Sequence, residues 1–193
     1  MHDARTVLDF WFGAPGTPVH GKNRPEWFRK DAAFDAAIGT RFGALIDAAI
    51  GGGLRKWDAA GAPSALARIL LLDQFTRNAF RGTARSFAGD AFALQAAQAM
   101  VATGQDLQLP PLQRWFVYLP YEHAEDLAVQ EASLPLFAAL GQADAALAGT
   151  MEYAQRHRDI VHRFGRFPHR NAILGRASTA EELAFLQEPG SSF

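Results

Sequence analysis

The chain has 193 residues, 49% hydrophobic and 20% charged, with a formal net charge of −1, an ordinary globular composition. At about 100–200 residues per domain, this length implies a single helical domain over residues 1–193, able to bury a core without covalent staples. Cysteine is absent, which excludes disulfides and thiolate metal sites. The near balance of acids and bases argues against nucleic acid as a partner, because phosphate neutralisation by a basic face supplies most of that affinity.

The opening MHDARTVLDFWF lacks the basic start, apolar stretch and small-residue cleavage site of a secretory signal. No apolar run approaches the roughly 20 residues needed to span a bilayer. The expectation is a cytoplasmic protein with no membrane partner. Arginine outnumbers lysine sixteen to three, a skew better attributed to genomic base composition than to function.

Helical periodicity dominates the chain. Asp3 can cap a first short helix ending near Phe12, with Gly13 as its stop. Pro18 to Arg24 reads as a loop, and Pro25 suits the first position of a short helix carrying Trp27 and Phe28. From Asp31 the residues Phe34, Ile38, Phe42, Leu45, Ile46 and Ile50 recur every three or four positions, an amphipathic helix ended by Gly51-Gly52-Gly53. Pro63-Ser64 opens the next, with Leu66, Ile69, Leu70 and Phe75 inward, running out near Phe80 to Gly82.

Another helix is predicted from about Arg85 to Thr103. Pro110-Pro111 starts one containing Trp115 and Phe116, which Pro120 should kink or interrupt. Further helices are predicted at about Tyr121 to Leu140 and Ala145 to Phe164, the latter stopped by Gly165. Ser178-Thr179-Ala180-Glu181 has capping-box spacing and starts a short closing helix. No segment has the period-two pattern of a strand. The fold class is therefore all-α, with short connections folding consecutive helices into antiparallel hairpins. A right-handed stacked array of such pairs fits a chain without residue-level repeats, because degenerate repeats can lose their consensus.

Three polar groups stand out. In Leu72-Asp73-Gln74-Phe75-Thr76-Arg77-Asn78-Ala79-Phe80-Arg81, the four-residue spacing aligns Asp73, Arg77 and Arg81 on one helix face. They follow an apolar run, which suggests partial burial. In Tyr121-Glu122-His123-Ala124-Glu125-Asp126, the acids could act with His123 as an acid/base group. They could equally favour the positive end of a helix starting after Pro120.

The third group is His162-Arg163-Phe164-Gly165-Arg166-Phe167-Pro168-His169-Arg170-Asn171. It begins as helix punctuation, since cations offset the negative C-terminal end of a helix and Gly165 can adopt a left-handed cap. Four arginines from Arg163 to Arg176 exceed what capping needs. Asp73, Asp90, Glu122, Glu125 and Asp126 are their obvious internal partners. Asp159 and His162 are three apart, but the chain has no Glu-x-x-His. His157 and His162, five apart, point about 140° away from each other on a helix. No metal or cofactor is expected.

Together these motifs resemble a bacterial family, domain of unknown function 924. They run from Phe10-Trp11-Phe12-Gly13 and Trp27-Phe28 through Leu72-Asp73-Gln74-Phe75-x-Arg77-Asn78-x-x-Arg81-Gly82 and Phe87-Ala88-x-Asp90. They continue in Tyr118-Leu119-Pro120-x-Glu122-His123-x-Glu125 and in Arg163 to Asn171. The chain departs from the family pattern at Thr76, commonly proline, and at Ala124, usually serine. The resemblance implies an all-helical domain similar to tetratricopeptide-like arrays. It implies no activity.

The leading functional expectation is a binding module for a small anionic or carboxylate-bearing ligand or a peptide end. Arg77, Arg81, Arg163, Arg166, Arg170 and His169 would face the ligand, with Glu122, His123 and Glu125 orienting them. That reading requires some arginines to lack acidic partners. The alternatives are a structural ion-pair network in a scaffold that binds a protein partner, and an enzyme using His123 or His169 as general acid/base. No nucleophile motif or phosphate loop supports the enzyme.

Overall fold

Asp3 begins the first helix by accepting from the Thr6 amide at 2.9 Å. It stands at the edge of what the computed structural model describes, residues 3–192. Helix α1 (Ala4–Phe12) buries Val7, Trp11 and Phe12 and ends at Gly13, whose φ of +82° suits a residue without a side chain. A 3₁₀ turn at Pro25–Trp27 stacks Trp27 on Trp11, and the indole N–H donates to the Trp11 carbonyl at 3.1 Å. Asp31 caps α2 (Ala32–Ile50), which buries Ile38, Phe42, Ile46 and Ala49 along one stripe.

The centre of the molecule is one rod in three parts: α3 (Ala62–Leu70), a π-helical turn at Leu71–Phe75, and α4 (Thr76–Ala79). From Ala65 to Thr76 every residue is buried, the polar Arg68, Asp73, Gln74 and Thr76 included. Helices α1, α5 (Asp90–Ala102) and α6 (Pro111–Glu122) pack on α3, and α2 packs on α4 and the π turn. Next, α7 (Leu127–Ala143) packs on α6, and α8 (Thr150–Phe164) on α7. The short α9 (Ala180–Phe185) closes the chain. Among the described residues there is no strand, and no helix is long and apolar enough to cross a membrane.

Several boundaries differ from expectation. Residues 84–87 form a 3₁₀ turn, and α5 starts only at Asp90, after Gly89. Pro120 does not interrupt α6, which continues to Glu122. The break falls at residues 123–126, and Asp126 caps α7 by accepting from the Val129 amide. Glu122 and Asp126 therefore share no helix face. Ala145–Leu147 is a separate 3₁₀ turn. The capping box lies one residue later than predicted: Thr179 Oγ1 accepts from the Glu182 amide and Glu182 from the Thr179 amide.

Two apolar clusters result. The large one runs from α1 through α8 and contains linked aromatic rings, among them Trp11, Trp27, Phe42, Phe75 and Phe116. A small one, Ile160, Val161 and Phe167 with Leu127, Phe164 and Phe185, anchors the C-terminal segment.

Candidate functional site

The π turn places Asp73 and Gln74 inside the molecule. Such turns often mark functional positions because they re-aim side chains off the regular helical register. Nearby side chains satisfy its carbonyls: Thr76 Oγ1 donates to Leu72 O at 2.8 Å, and Arg77 Nη1 to Asp73 O at 2.7 Å. The Asp73 carboxylate is fully buried and shared. His123 Nδ1 lies 2.7 Å from Oδ1, Arg77 Nη1 lies 3.1 Å from the same oxygen, and Gln74 Nε2 donates to Oδ2 at 2.5 Å.

Burial opposes ionisation of Asp73, but Arg77 and His123 outweigh it and hold the carboxyl well below the usual range. Burial, then Arg77, pushes His123 down, against the pull of Asp73. The ring is therefore neutral near pH 7. Its Nδ1 must carry the proton to bond a carboxylate, which leaves Nε2 as the acceptor.

Asp90, at the start of α5, takes the whole Arg77 fork at 2.9 and 3.0 Å. The same carboxylate is the acidic partner of Arg170, at 3.4 Å. Arg170 is 6% exposed and has no acceptor at Nε among the described residues. Its guanidinium lies between Phe87 and Phe167, 4.7 and 4.5 Å from their centroids, contacts that partly replace water around a cation. Burial, then Arg77, pulls the Arg170 pKa down to about 10.

Glu122 meets no arginine. It ends α6 in the interior, with Oε1 3.0 Å from His157 Nδ1 and Oε2 without a partner among the described residues. Burial, then the Asp73 charge, raises its carboxyl to about 8. Glu122 is thus protonated at neutral pH, which explains how it lies in the core without a cation. His157 Nδ1 also faces the Tyr153 carbonyl at 2.8 Å, and burial holds this imidazole neutral. The rings of His123, His157, Phe167 and His169 follow one another at centroid separations of 5.6–6.2 Å. Burial, then Arg170, lowers His169 to about 4.

The expected site residues thus separate into groups. Arg77, Glu122, His123, His169 and Arg170 converge, joined by Asp73, Asp90 and His157. Glu125 adjoins them, gripping Arg176 at 2.5 and 2.8 Å and accepting from the Phe167 amide at 2.8 Å. Arg81 lies apart, forked on Asp35 of α2, which Asn78 also bonds. Arg163 pairs with Glu181 and Arg166 with Glu182, both on α9 rather than on the acids of α6. The reason is local: the capping box at Thr179 turns Glu182 inward, where Arg166 and Asn171 both reach it. The histidine partners Asp73 and Glu122 come from different helices, so helical spacing alone could not pair them. Arg176 had only its place in the basic run as a signal.

Among the described residues no group of three or more His, Asp or Glu is placed so that it could hold a metal ion. Two open clefts, of about 490 and 290 Å³, are lined by other residues.

An all-helical chain with this buried charge cluster belongs to the bacterial family described as protein of unknown function, DUF924, whose model matches residues 7–190. The solved structure of ATU0120, a protein of unknown function from Agrobacterium tumefaciens, is 43% identical. It superposes with a TM-score of 0.82 over 95% of this chain and 96% of that one. None of the curated proteins compared with the chain is significantly similar to it.

Proposed function

We propose that the chain is a cytoplasmic, one-domain helical binding module, a tetratricopeptide-like array whose Arg/His cluster accepts an anionic group. That group is a carboxylate or phosphate of a small molecule, or a peptide end. The packing of α6 on α7 and α7 on α8 supports the array. One observation carries the site. Arg170 is a buried cation with a single 3.4 Å contact to an aspartate already saturated by Arg77. An unmet guanidinium donor in such a place is costly, and an anion would satisfy it.

The other arginines of the expected site, and Arg176, do not share this property. Arg81, Arg163, Arg166 and Arg176 each hold a carboxylate, and Arg77 holds two. They build the walls, and Arg170 with the neutral His123 and His169 forms the receiving end.

Thermal unfolding with inorganic phosphate, acetate, succinate or a short peptide with a free carboxylate tests this. A ligand at a hundred times its dissociation constant adds about 2.7 kcal/mol. Arg170→Gln removes the gain, whereas Arg81→Gln keeps it. If every anion and peptide leaves wild type unshifted, the network is structural and the function passes to a protein-binding surface.

The Asp73–His123 pair favours a second reading, acid–base chemistry. A buried carboxylate fixing Nδ1–H leaves Nε2 as a proton acceptor, with the Arg77 guanidinium on the same carboxylate. Turnover of aryl phosphate or acetate esters, lost in His123→Gln, would support it.

A further inference from the structure

The larger of the two clefts is lined by α1, residues 13–24 and α2 and by none of the cluster's charged residues. Its volume is about 490 Å³, within the range of small-molecule sites. The wall is made by the chain folding back at Gly13: His20 Nδ1 bonds the Gly13 carbonyl at 2.7 Å, and the Gly21 amide donates to Phe12 O. Arg24 closes the corner by donating to the Phe10 and Trp11 carbonyls at 2.8 and 3.0 Å.

The floor is aromatic. Phe10 and Phe34 stack at 5.2 Å with only 15° between their planes. Arg24 lies over Phe34 and Arg41 over Phe10, at 5.3 and 4.8 Å. The two guanidinium groups differ in what remains for a ligand. Arg24 gives Nη1 to the carbonyls and Nη2 to Glu26, and its Nε, without an acceptor among the described residues, is buried. Arg41 has no acidic partner and no hydrogen bond among the described residues, and it lines the cleft. The hydroxyls of Thr6 and Thr17 donate to Asp3 and Ala14, so the donor available to a ligand is Arg41. Val19, 43% exposed, forms an apolar rim.

We infer that this cleft binds a small monocarboxylate with a flat apolar body, its ring against the edges of Phe10 and Phe34 and its carboxylate on Arg41. Three features select this class. The part-exposed rings of Phe10 and Phe34, their faces covered by each other and by Arg24 and Arg41, leave edges that suit an edge-to-face contact with a planar apolar group. A guanidinium fork matches a carboxylate. Asp9, also in the wall and 3.6 Å from Arg5, disfavours a second negative charge and so weakens the binding of phosphate esters.

Benzoate is the probe, with benzamide as its neutral isostere and phenyl phosphate as the dianion, followed by amide chemical shifts. Benzoate at millimolar concentration shifts Thr6, Gly13, Thr17 and Val19. Benzamide and phenyl phosphate bind about tenfold more weakly or worse. Arg41→Gln, at an exposed site without an acidic partner, keeps the melting temperature to within a degree or two and loses about tenfold in benzoate affinity. Arg170→Gln leaves benzoate binding unchanged, which separates this cleft from the buried cluster. Absence of shifts at these residues, equal binding of benzamide, or unchanged binding in Arg41→Gln would overturn the assignment.

Discussion

Glu122 is a carboxylic acid in the core rather than a carboxylate, and this gives the protein a pH dependence with a definite sign. Unfolded, the group loses its proton near 4.5; folded, near 8. Between those values the native state holds a proton that the unfolded state has released, so stability falls as pH rises. His169 acts in the opposite sense. Its folded value near 4 lies below the ordinary 6.5, so its contribution grows with pH and is complete above about 6.5. His123 and His157 are lowered too and follow the same rule. From pH 6.5 to 8 the Glu122 contribution slopes downward, by at most about 1.4 kcal/mol per unit. Glu122→Gln, which keeps an acceptor for His157, should flatten that fall in urea midpoints measured at pH 6.5, 7 and 8. Asp73 is the converse case, an ionised group with two dependants. Asp73→Asn leaves Arg77 short of a buried counter-charge and the neutral His123 without its carboxylate acceptor, and should cost about 3–5 kcal/mol in urea unfolding.

At the scale of elements, the π turn is held from outside as well as from within. Gly89, just before α5, approaches the Leu72 carbonyl so closely that a Cβ there would fall on the oxygen. Both partners are backbone and neither can rotate away. Gly89→Ala should therefore destabilise by about 2 kcal/mol or more, and it should weaken the Arg77–Asp90 fork, because Asp90 follows directly. A fall in melting temperature with an altered Phe87 environment would show both effects. Elements with local signals were legible in the sequence: Asp3 and Asp31 as caps, Gly13 and Gly165 as stops, and the apolar period of α2. The π turn was not, because Leu71–Phe75 reads as ordinary apolar helix and its cause lies in Gly89 and the side chains of Thr76 and Arg77. The break after Glu122 was misplaced for a similar reason. Pro120 is a strong local signal, yet α6 carries it and the chain turns at the Asp126 cap.

For the molecule as a whole, residues 165–192 carry the basic run and little core of their own, so charge decides how they are fastened. The surplus of cations there was legible from composition. Two of their partners were among the acids expected to meet them, Asp90 for Arg170 and Glu125 for Arg176, but which acid met which arginine was not legible, and Arg163 and Arg166 instead pair within the segment with Glu181 and Glu182. Glu125 is the principal fastener, receiving both Arg176 nitrogens and the Phe167 amide. Arg176 in turn bonds Phe167 O at 3.2 Å and Asn171 Oδ1 at 3.0 Å, locking the 3₁₀ turn at Pro168–Arg170 that carries His169 and Arg170. If this fork positions the receiving end of the cluster, loosening it should open the C-terminal segment without melting the helical stack. Glu125→Gln should speed amide exchange at Phe167, Arg170 and Arg176 while leaving α3 and α7 protected, because the segment then opens as a separate unit. A double-mutant cycle with Arg176→Gln should give a coupling of about 1–2 kcal/mol, as befits a half-buried bidentate pair in contact. The same Glu125→Gln variant should weaken anion-induced stabilisation at Arg170, because the turn presenting that guanidinium would no longer be fixed before the ligand arrives. Equal exchange in α3 and the C-terminal segment would instead make the whole chain one cooperative unit.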